Sequence, residues 1–184
     1  MANVTVTHKG PIKGNVILIL QDATTGRVEK VVEHHNIVTT SGNQYYAERG
    51  AVQTPAMTFN LGKLTIASSY RSTETNTRTY GDFVLTTFNG TQAFDAGYPK
   101  TSDTDTDNTG AGATIVTYRR TYSTTQGNIT IKALGINRLG ATTTAAVSLR
   151  KLLNYVTLSV AQQVTKTSSQ TLKVFINHTF LGSP

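Results

Sequence analysis

The sequence predicts an all-β fold, an antiparallel β-sandwich or jelly-roll-like arrangement with one short helix near residues 42–49. Nearly a fifth of the residues are threonine, whose branched side chain packs well on a pleated sheet. Apolar residues alternate with polar ones in several segments, as in strands with one buried face. Turn-forming residues separate these segments roughly every ten positions, which is typical of small β-domains.

The length and the lack of cysteine limit how such a fold is stabilised. The 184 residues suffice for one domain with its own core, and we expect residues 1–184 to form a single β-sandwich domain. No cysteine is available for disulfides or thiolate metal ligands. The first residues lack the apolar core of a secretory signal, and no apolar run approaches the roughly 18 residues that span a bilayer. We therefore expect a soluble protein made in the cytoplasm, with no membrane partner.

The N-terminal part of the chain has the clearest turn and helix signals. Residues 22–26 end in glycine and predict a hairpin turn between two strands. Thr40 or Ser41 can cap a helix at 42–49, and Gly50 can end it. Such a short helix must dock on the sheet to be stable. Strand patterns in this part occupy residues 2–8, 16–20, 27–35, 57–66 and 80–88.

The C-terminal part predicts two further pairs of strands. Residues 114–122 and 128–136 read as a hairpin, and residues 154–180 read as two strands joined by a short polar connection. Alternation in the last strand places His178 on its apolar face. We interpret His178 as a strand-end residue near the C-terminus or as an oligomer contact, and not as a metal ligand.

An acidic segment lies between these two parts. Residues 97–112 include the longest stretch without an apolar side chain, and we expect an exposed loop there. The alternate aspartates of 103–107 match the opening of a calcium-binding loop. The match fails at Asn108, where glycine is needed, and at Thr114, where glutamate is needed. A solvated acidic loop is the preferred interpretation, and low-affinity calcium binding stays open.

Charge is distributed unevenly along the chain. No aspartate or glutamate follows Asp107, so most of the net charge of +7 belongs to the C-terminal part. An acidic protein surface, a phosphate backbone or an anionic membrane could each be the counterpart. Alternatively, strands from both parts interleave, and the folded surface mixes the two signs. The basic residues that we predict at a partner interface are Arg119, Arg120, Arg150, Lys151, Lys166 and Lys173.

The sequence contains no motif that indicates catalysis or a cofactor. It has no G-x-S-x-G elbow, no cysteine nucleophile and no H-E-x-x-H pair. The adjacent residues His34 and His35 would point to opposite faces of a strand, so they do not predict a metal site. We therefore expect a protein that is not an enzyme and holds no cofactor, and we assign no metal-ligating residues.

Several segments together resemble a widespread type of small virion protein from tailed bacteriophages. The segment that points most directly to a virion protein is the ending at 160–174, which includes VTKT at 164–167 and QTLKV at 170–174. Two departures are that Lys132 and Ala133 stand where an acidic residue often precedes the Leu-Gly turn, and that 97–112 has no counterpart. The other resembling segments are ILILQDATTG at 17–26, NIVTTSG at 36–42, a Leu-Gly and a Ser/Thr-rich loop at 61–79, and ITIKALGI at 129–136.

The resemblance implies a non-enzymatic structural protein located in the virion and made in the host cytoplasm. Proteins of this type serve as capsid cement or decoration proteins and as tail, neck or baseplate components. We favour a cement protein that binds the outer capsid surface, with the major capsid protein or other virion proteins as its partners, and that forms a homo-oligomer such as a trimer. A tail, neck or baseplate component is the first alternative. A nucleic-acid-binding β-barrel is the second, although no aromatic nucleic-acid-binding motif supports it.

Overall fold

The computed structural model describes residues 12–51, 62–70, 91–137 and 152–180, and it confirms the predicted all-β fold with one helix. A 3-10 turn at Val160–Gln162 lies between two of the strands. The strands are β1 Ile12–Asp22, β2 Val28–Val38, β3 Lys63–Ala67, β4 Thr91–Ala93, β5 Lys100–Thr101, β6 Ile115–Tyr122, β7 Thr130–Ile131, β8 Ala133–Asn137, β9 Asn154–Thr157, β10 Val164–Thr165 and β11 Gln170–Phe180, and the helix is α1 Thr40–Gly50.

Nine of these strands form one antiparallel sheet in the order β4-β3-β8-β9-β2-β1-β11-β6-β5. The remaining two, β10 and β7, pair with each other in a small second sheet. The long strands β1, β2 and β11 are neighbours, and β1 pairs with β11 over its whole length, from Ile12 opposite Phe180 to Asp22 opposite Gln170. The predicted hairpin turn is confirmed, because Asp22 Oδ1 accepts a hydrogen bond of 2.7 Å from Thr25 N between β1 and β2.

The large sheet curls so that strands from its two halves approach each other. Tyr122 on β6 donates its hydroxyl to the Leu64 carbonyl on β3 at 3.0 Å. The backbone N–H of Asp95, just after β4, donates to the Arg119 carbonyl on β6 at 2.9 Å. The sheet therefore encloses one main core. Its central aliphatic members are Val16, Leu18, Leu64, Ile66, Ile131, Leu134, Ile136, Leu153, Val156, Leu172, Val174 and Ile176.

The helix α1 begins one or two residues earlier than expected and docks closely on the sheet. Its N-cap is Thr39, whose Oγ1 accepts a hydrogen bond of 3.1 Å from Gly42 N, so the predicted caps Thr40 and Ser41 are wrong. A Cβ at Gly42 would lie 2.2 Å from the Leu153 carbonyl oxygen, so only glycine allows this approach. Thr39 Oγ1 also donates to the Leu152 carbonyl, which ties the helix entry to the residues just before β9.

Two predicted hairpins are wrong. Strand β9 pairs with β2 and β8, while β11 pairs with β1 and β6, so the last two long strand patterns are not neighbours. Similarly, β6 does not pair with β7 or β8. Alternation identifies a strand and its buried face, but partners far apart in sequence leave no trace in that pattern. The predicted strands at 2–8 and 80–88 lie outside the described residues, as does the first half of 57–66.

The described part of the chain includes no helix that is long and apolar enough to cross a membrane.

Candidate functional site

The segment 97–112, for which we expected an exposed loop, has exposed residues at 97, 101, 102, 104, 106 and 109, but it is anchored on the sheet through the buried residues Asp103 and Asn108. It covers the outer face of β11, the face that carries Lys173, Phe175 and Asn177, whereas the inner face of β11 faces the main core. Asn108 and Asn177 exchange side-chain hydrogen bonds of 3.1 and 2.8 Å. Both residues are almost fully buried. The amide pair therefore fixes the middle of the loop on β11.

Two of the predicted interface cations are paired with this segment and its flank. Arg119 donates from Nε to Asp95 Oδ2 at 2.9 Å and from Nη1 to Asp105 Oδ2 at 2.8 Å. Lys173 Nζ lies 2.5 Å from Asp107 Oδ2 and 3.3 Å from Asp105 Oδ2. The part of the sequence after Asp107, which has no acidic residue, thus contacts the aspartates at 95, 105 and 107. On this face the two signs mix, which was the alternative to a one-signed partner surface.

Of the other predicted interface residues, Arg120 is partly exposed, Lys166 is buried, and two lie outside the described residues. Arg120 donates from Nη2 to Gln126 Oε1 at 2.8 Å, and its Nη1 lies 3.5 Å from Asp95 Oδ1. Lys166 is only 1% exposed, so it is not available to a partner, and the prediction for it is wrong. Burial lowers the pKa of Lys166. Arg150 and Lys151 lie outside the described residues.

The three aspartates of 103–107 are held by donors of the same chain and do not converge on one point. Asp103 accepts hydrogen bonds from Tyr98 at 2.7 Å and from Asn108 at 3.0 Å. Burial acts to raise the pKa of Asp103, but the bonds from Asn108, Tyr98 and Lys100 outweigh it and lower the pKa to about 2. Within the described ranges, no group of three or more histidine, aspartate or glutamate side chains is arranged to hold a metal ion. The preferred solvated loop is therefore corrected to an ion-paired one.

His178 is a core residue, which corrects its interpretation as a strand-end residue or oligomer contact. Its side chain is fully buried on the inner face of β11. Its Nε2 lies 3.4 Å from Asn36 Nδ2, and its Nδ1 lies 2.7 Å from Tyr46 Oη. With the Asn36 amide in this orientation its nitrogen donates to Nε2, and Nδ1 then carries the proton of a neutral imidazole. Burial lowers the pKa of His178 to about 3.

The histidine links the helix to the sheet through two tyrosines. Tyr46 on α1 lies 2.9 Å, hydroxyl to hydroxyl, from Tyr118 on β6. Burial raises the pKa of both phenols, so they stay protonated and serve as hydrogen-bonding groups. The Asn36 side chain fits beside His178 because Gly14 has no Cβ, which would lie 1.2 Å from Asn36 Oδ1.

These tyrosines also form the floor of an open cleft between the C-terminal half of α1 and the edge strand β5. The cleft has a volume of 710 Å³. Phe180 packs edge-on against Tyr46 at 4.8 Å between ring centroids and extends the aromatic floor. Arg49 and Lys100 stand on opposite walls. The cleft therefore combines an aromatic base with cationic sides, an arrangement suited to an apolar group that carries negative charge nearby.

Sequence reasoning missed this cleft because its residues are scattered over four segments of the chain. The only advance signal was His178 itself, a polar residue on an otherwise apolar strand face. No protein-family model, curated protein or solved structure matches the chain.

Proposed function

We propose that this chain is a non-enzymatic structural protein of a tailed-bacteriophage particle, and specifically a cement protein on the outer capsid surface. Its partner would be the major capsid protein, and the chain would act as a homo-oligomer such as a trimer. The observation that carries the proposal is the segment VTKTSSQTLKV at 164–174, which points most directly to a virion protein.

The residues of that segment have architectural roles in this fold. Gln170 Oε1 accepts hydrogen bonds from Thr167 N at 2.8 Å and from Thr167 Oγ1 at 2.9 Å, which closes the turn before β11. The buried Lys166 donates to Asn128 Oδ1 at 2.7 Å. Leu172 and Val174 then enter the core. The spacing of the motif is thus required by the turn and by β11. The resemblance of this segment therefore supports a fold shared with structural virion proteins.

The location in the particle is tested by separating heads from tails. Phage particles carrying the chain are disrupted, tail-less heads and free tails are isolated, and the chain is quantified in each by mass spectrometry. We expect it in the heads, in fixed proportion to the major capsid protein. If the chain is present in tails and absent from tail-less heads, the cement role is wrong and the tail, neck or baseplate alternative takes its place.

A second test addresses cementing itself. Heads stripped of the chain should lose their DNA at a lower temperature than intact heads, and adding the purified chain back should restore the higher temperature. Restored binding without any change in head stability would contradict a cementing function.

The oligomeric state of the purified chain is measured by light scattering with size-exclusion chromatography.

The nucleic-acid alternative is disfavoured by where the cations lie. Arg119 and Lys173 are each within 3 Å of a carboxylate oxygen of their own chain, so contact with phosphate would require breaking these pairs. Binding through the remaining cations should weaken steeply with salt because phosphate neutralisation releases counterions. We expect no shift of single- or double-stranded DNA at low salt.

A further inference from the structure

We propose that the cleft between α1 and β5 binds an acidic segment of a partner protein that carries an aromatic side chain. This inference rests on the proposed function only for the partner's identity, which would then be a capsid protein. The binding chemistry follows from the cleft alone.

The aromatic part of the occupant is inferred from the floor of the cleft. Tyr46, Phe180 and Val116 line it and are all partly exposed, so apolar surface stays in contact with water. The Tyr46 and Tyr118 hydroxyls bond to each other, and Tyr46 also bonds to His178. Because these polar atoms are already paired, the floor offers ring faces and edges. Aromatic groups pack on such a surface in edge-to-face or offset geometry.

The negative charge of the occupant is inferred from the walls. Arg49 is exposed, and within the described ranges its guanidinium has no carboxylate partner but lies 5.8 Å from the centre of the Tyr45 ring. Lys100 forms a 3.0 Å ion pair with Asp103 while its side chain stays 36% exposed. The carbonyl end of α1 carries partial negative charge and would repel an anion, but the full charge of Arg49 in its last turn outweighs this.

The cations at the cleft differ from those on the outer face of β11. On the side of the sheet that includes the outer face of β11, Arg119 and Lys173 form ion pairs with aspartates of the same chain. Within the described ranges, Arg49 at the cleft has no such carboxylate partner, whereas Lys100 is paired with Asp103. In addition, β5 is the last strand in the order of the described sheet, so its outer backbone edge can pair with an extended segment. A peptide in that position would place alternate side chains towards the aromatic floor.

The binding can be measured directly because the chain has no tryptophan. The probe is the peptide acetyl-Asp-Trp-Asp-amide, whose indole would be the only such fluorophore in the sample. Titrating the full chain into the peptide should shift the indole emission to the blue and raise its anisotropy, both saturating together. The peptides acetyl-Asn-Trp-Asn-amide and acetyl-Lys-Trp-Lys-amide should bind more weakly, in that order, and added salt should reduce the difference.

Charge-reversal variants locate the site. Arg49→Glu should weaken binding of the acidic peptide by about tenfold or more, since it replaces attraction by repulsion at the cleft wall. Arg49→Lys should retain most of the binding. Arg27→Glu makes the same change of charge at an exposed position beside the β1–β2 turn and should leave binding unchanged. Thermal melting of each variant verifies that the fold is intact.

Each outcome decides the proposal. It is overturned if the indole emission does not shift. Equal weakening by Arg27→Glu and Arg49→Glu would also overturn it, because binding would then follow net charge alone. Detection of the chain in tails would remove the cement role and leave the peptide result standing. Conversely, wild-type binding to heads without any peptide binding would leave the cement role and remove the cleft.

Discussion

The two faces of β11 are both buried, but different chemistry buries them. The inner face places Val174 and Ile176 in an aliphatic core formed by the enclosing sheet. The outer face packs Phe175 against Ile17 and Ile19 and then continues with Asn177, whose amide is covered by the loop 97–112. A polar residue can be buried without loss only where such a loop supplies its hydrogen bonds. The two faces should therefore contribute to stability in different ways, the inner one through packed volume and the outer one through hydrogen bonds.

The largest effect is expected from removing volume on the inner face. Ile176 is fully buried, and Ile176→Ala should lower the free energy of unfolding by about 2–5 kcal/mol, because it loses apolar burial and leaves a cavity. Urea unfolding followed by circular dichroism measures this. The control Thr179→Ala lies on the partly exposed end of the same strand and should cost far less. Similar costs for the two variants would show that the inner face is not tightly packed.

The second prediction separates the faces by pH. The pKa of His178 falls from an ordinary value of 6.5 to about 3 in the folded chain, so the unfolded chain takes up its proton first as pH falls. The stability from neutral His178 is fully present above pH 6.5 and is lost as pH falls towards 3. At pH 4 the loss should be about 3 kcal/mol. The outer-face Asp103, whose pKa is lowered from 3.8 to about 2, loses its contribution only below pH 3.8.

The control for this pH dependence is a variant that cannot titrate. His178→Asn lowers stability at every pH but should flatten the loss between pH 6.5 and 4, whereas the exposed His35→Asn should leave it unchanged. Denaturant unfolding at a series of pH values gives the slopes. A slope that survives in His178→Asn would assign the acid sensitivity to another group.

The third prediction tests the amide pair on the outer face. Asn108→Ala should cost about 1–3 kcal/mol, because it leaves the buried Asn177 Nδ2 without its acceptor, although Thr117 Oγ1 still donates to Asn177 Oδ1. Asn177→Ala should cost a similar amount, and the double variant should cost less than the sum of the two single changes. Strict additivity in this cycle would mean that the loop is held by other contacts.

The contrast between the faces also explains what sequence could predict. Alternation in β11 identified the strand and the inner positions of Leu172, Val174 and Ile176, because apolar periodicity is a local property. The burial of Asn177 could not be predicted, because it depends on Asn108, which lies 69 positions earlier. The same holds for strand partners, which are set by contacts distant in sequence.

Charge was the least predictable feature of the candidate sites. The absence of acids after Asp107 suggested a basic partner surface, but a sequence does not show which charges meet after folding. Arg119 and Lys173 meet aspartates of the same chain. Arg49 could not be predicted as a site residue, because a single arginine at the end of a helix forms no binding motif. Only the folded structure places Arg49 beside an open cleft.

The smallest effect is expected from the most visible ion pair on the outer face. The side chains of Lys173 and Asp107 remain 20% and 34% exposed although their atoms lie 2.5 Å apart. Asp107→Asn should therefore cost less than about 1 kcal/mol, because water screens the pair and Lys173 keeps its contact with Asp105. Salt should reduce even this difference, since exposed charges are screened. Urea unfolding at low and high salt measures it, and a salt-independent loss as large as that of Asn108→Ala would mean that ion pairs, and not the buried amides, hold the loop on β11.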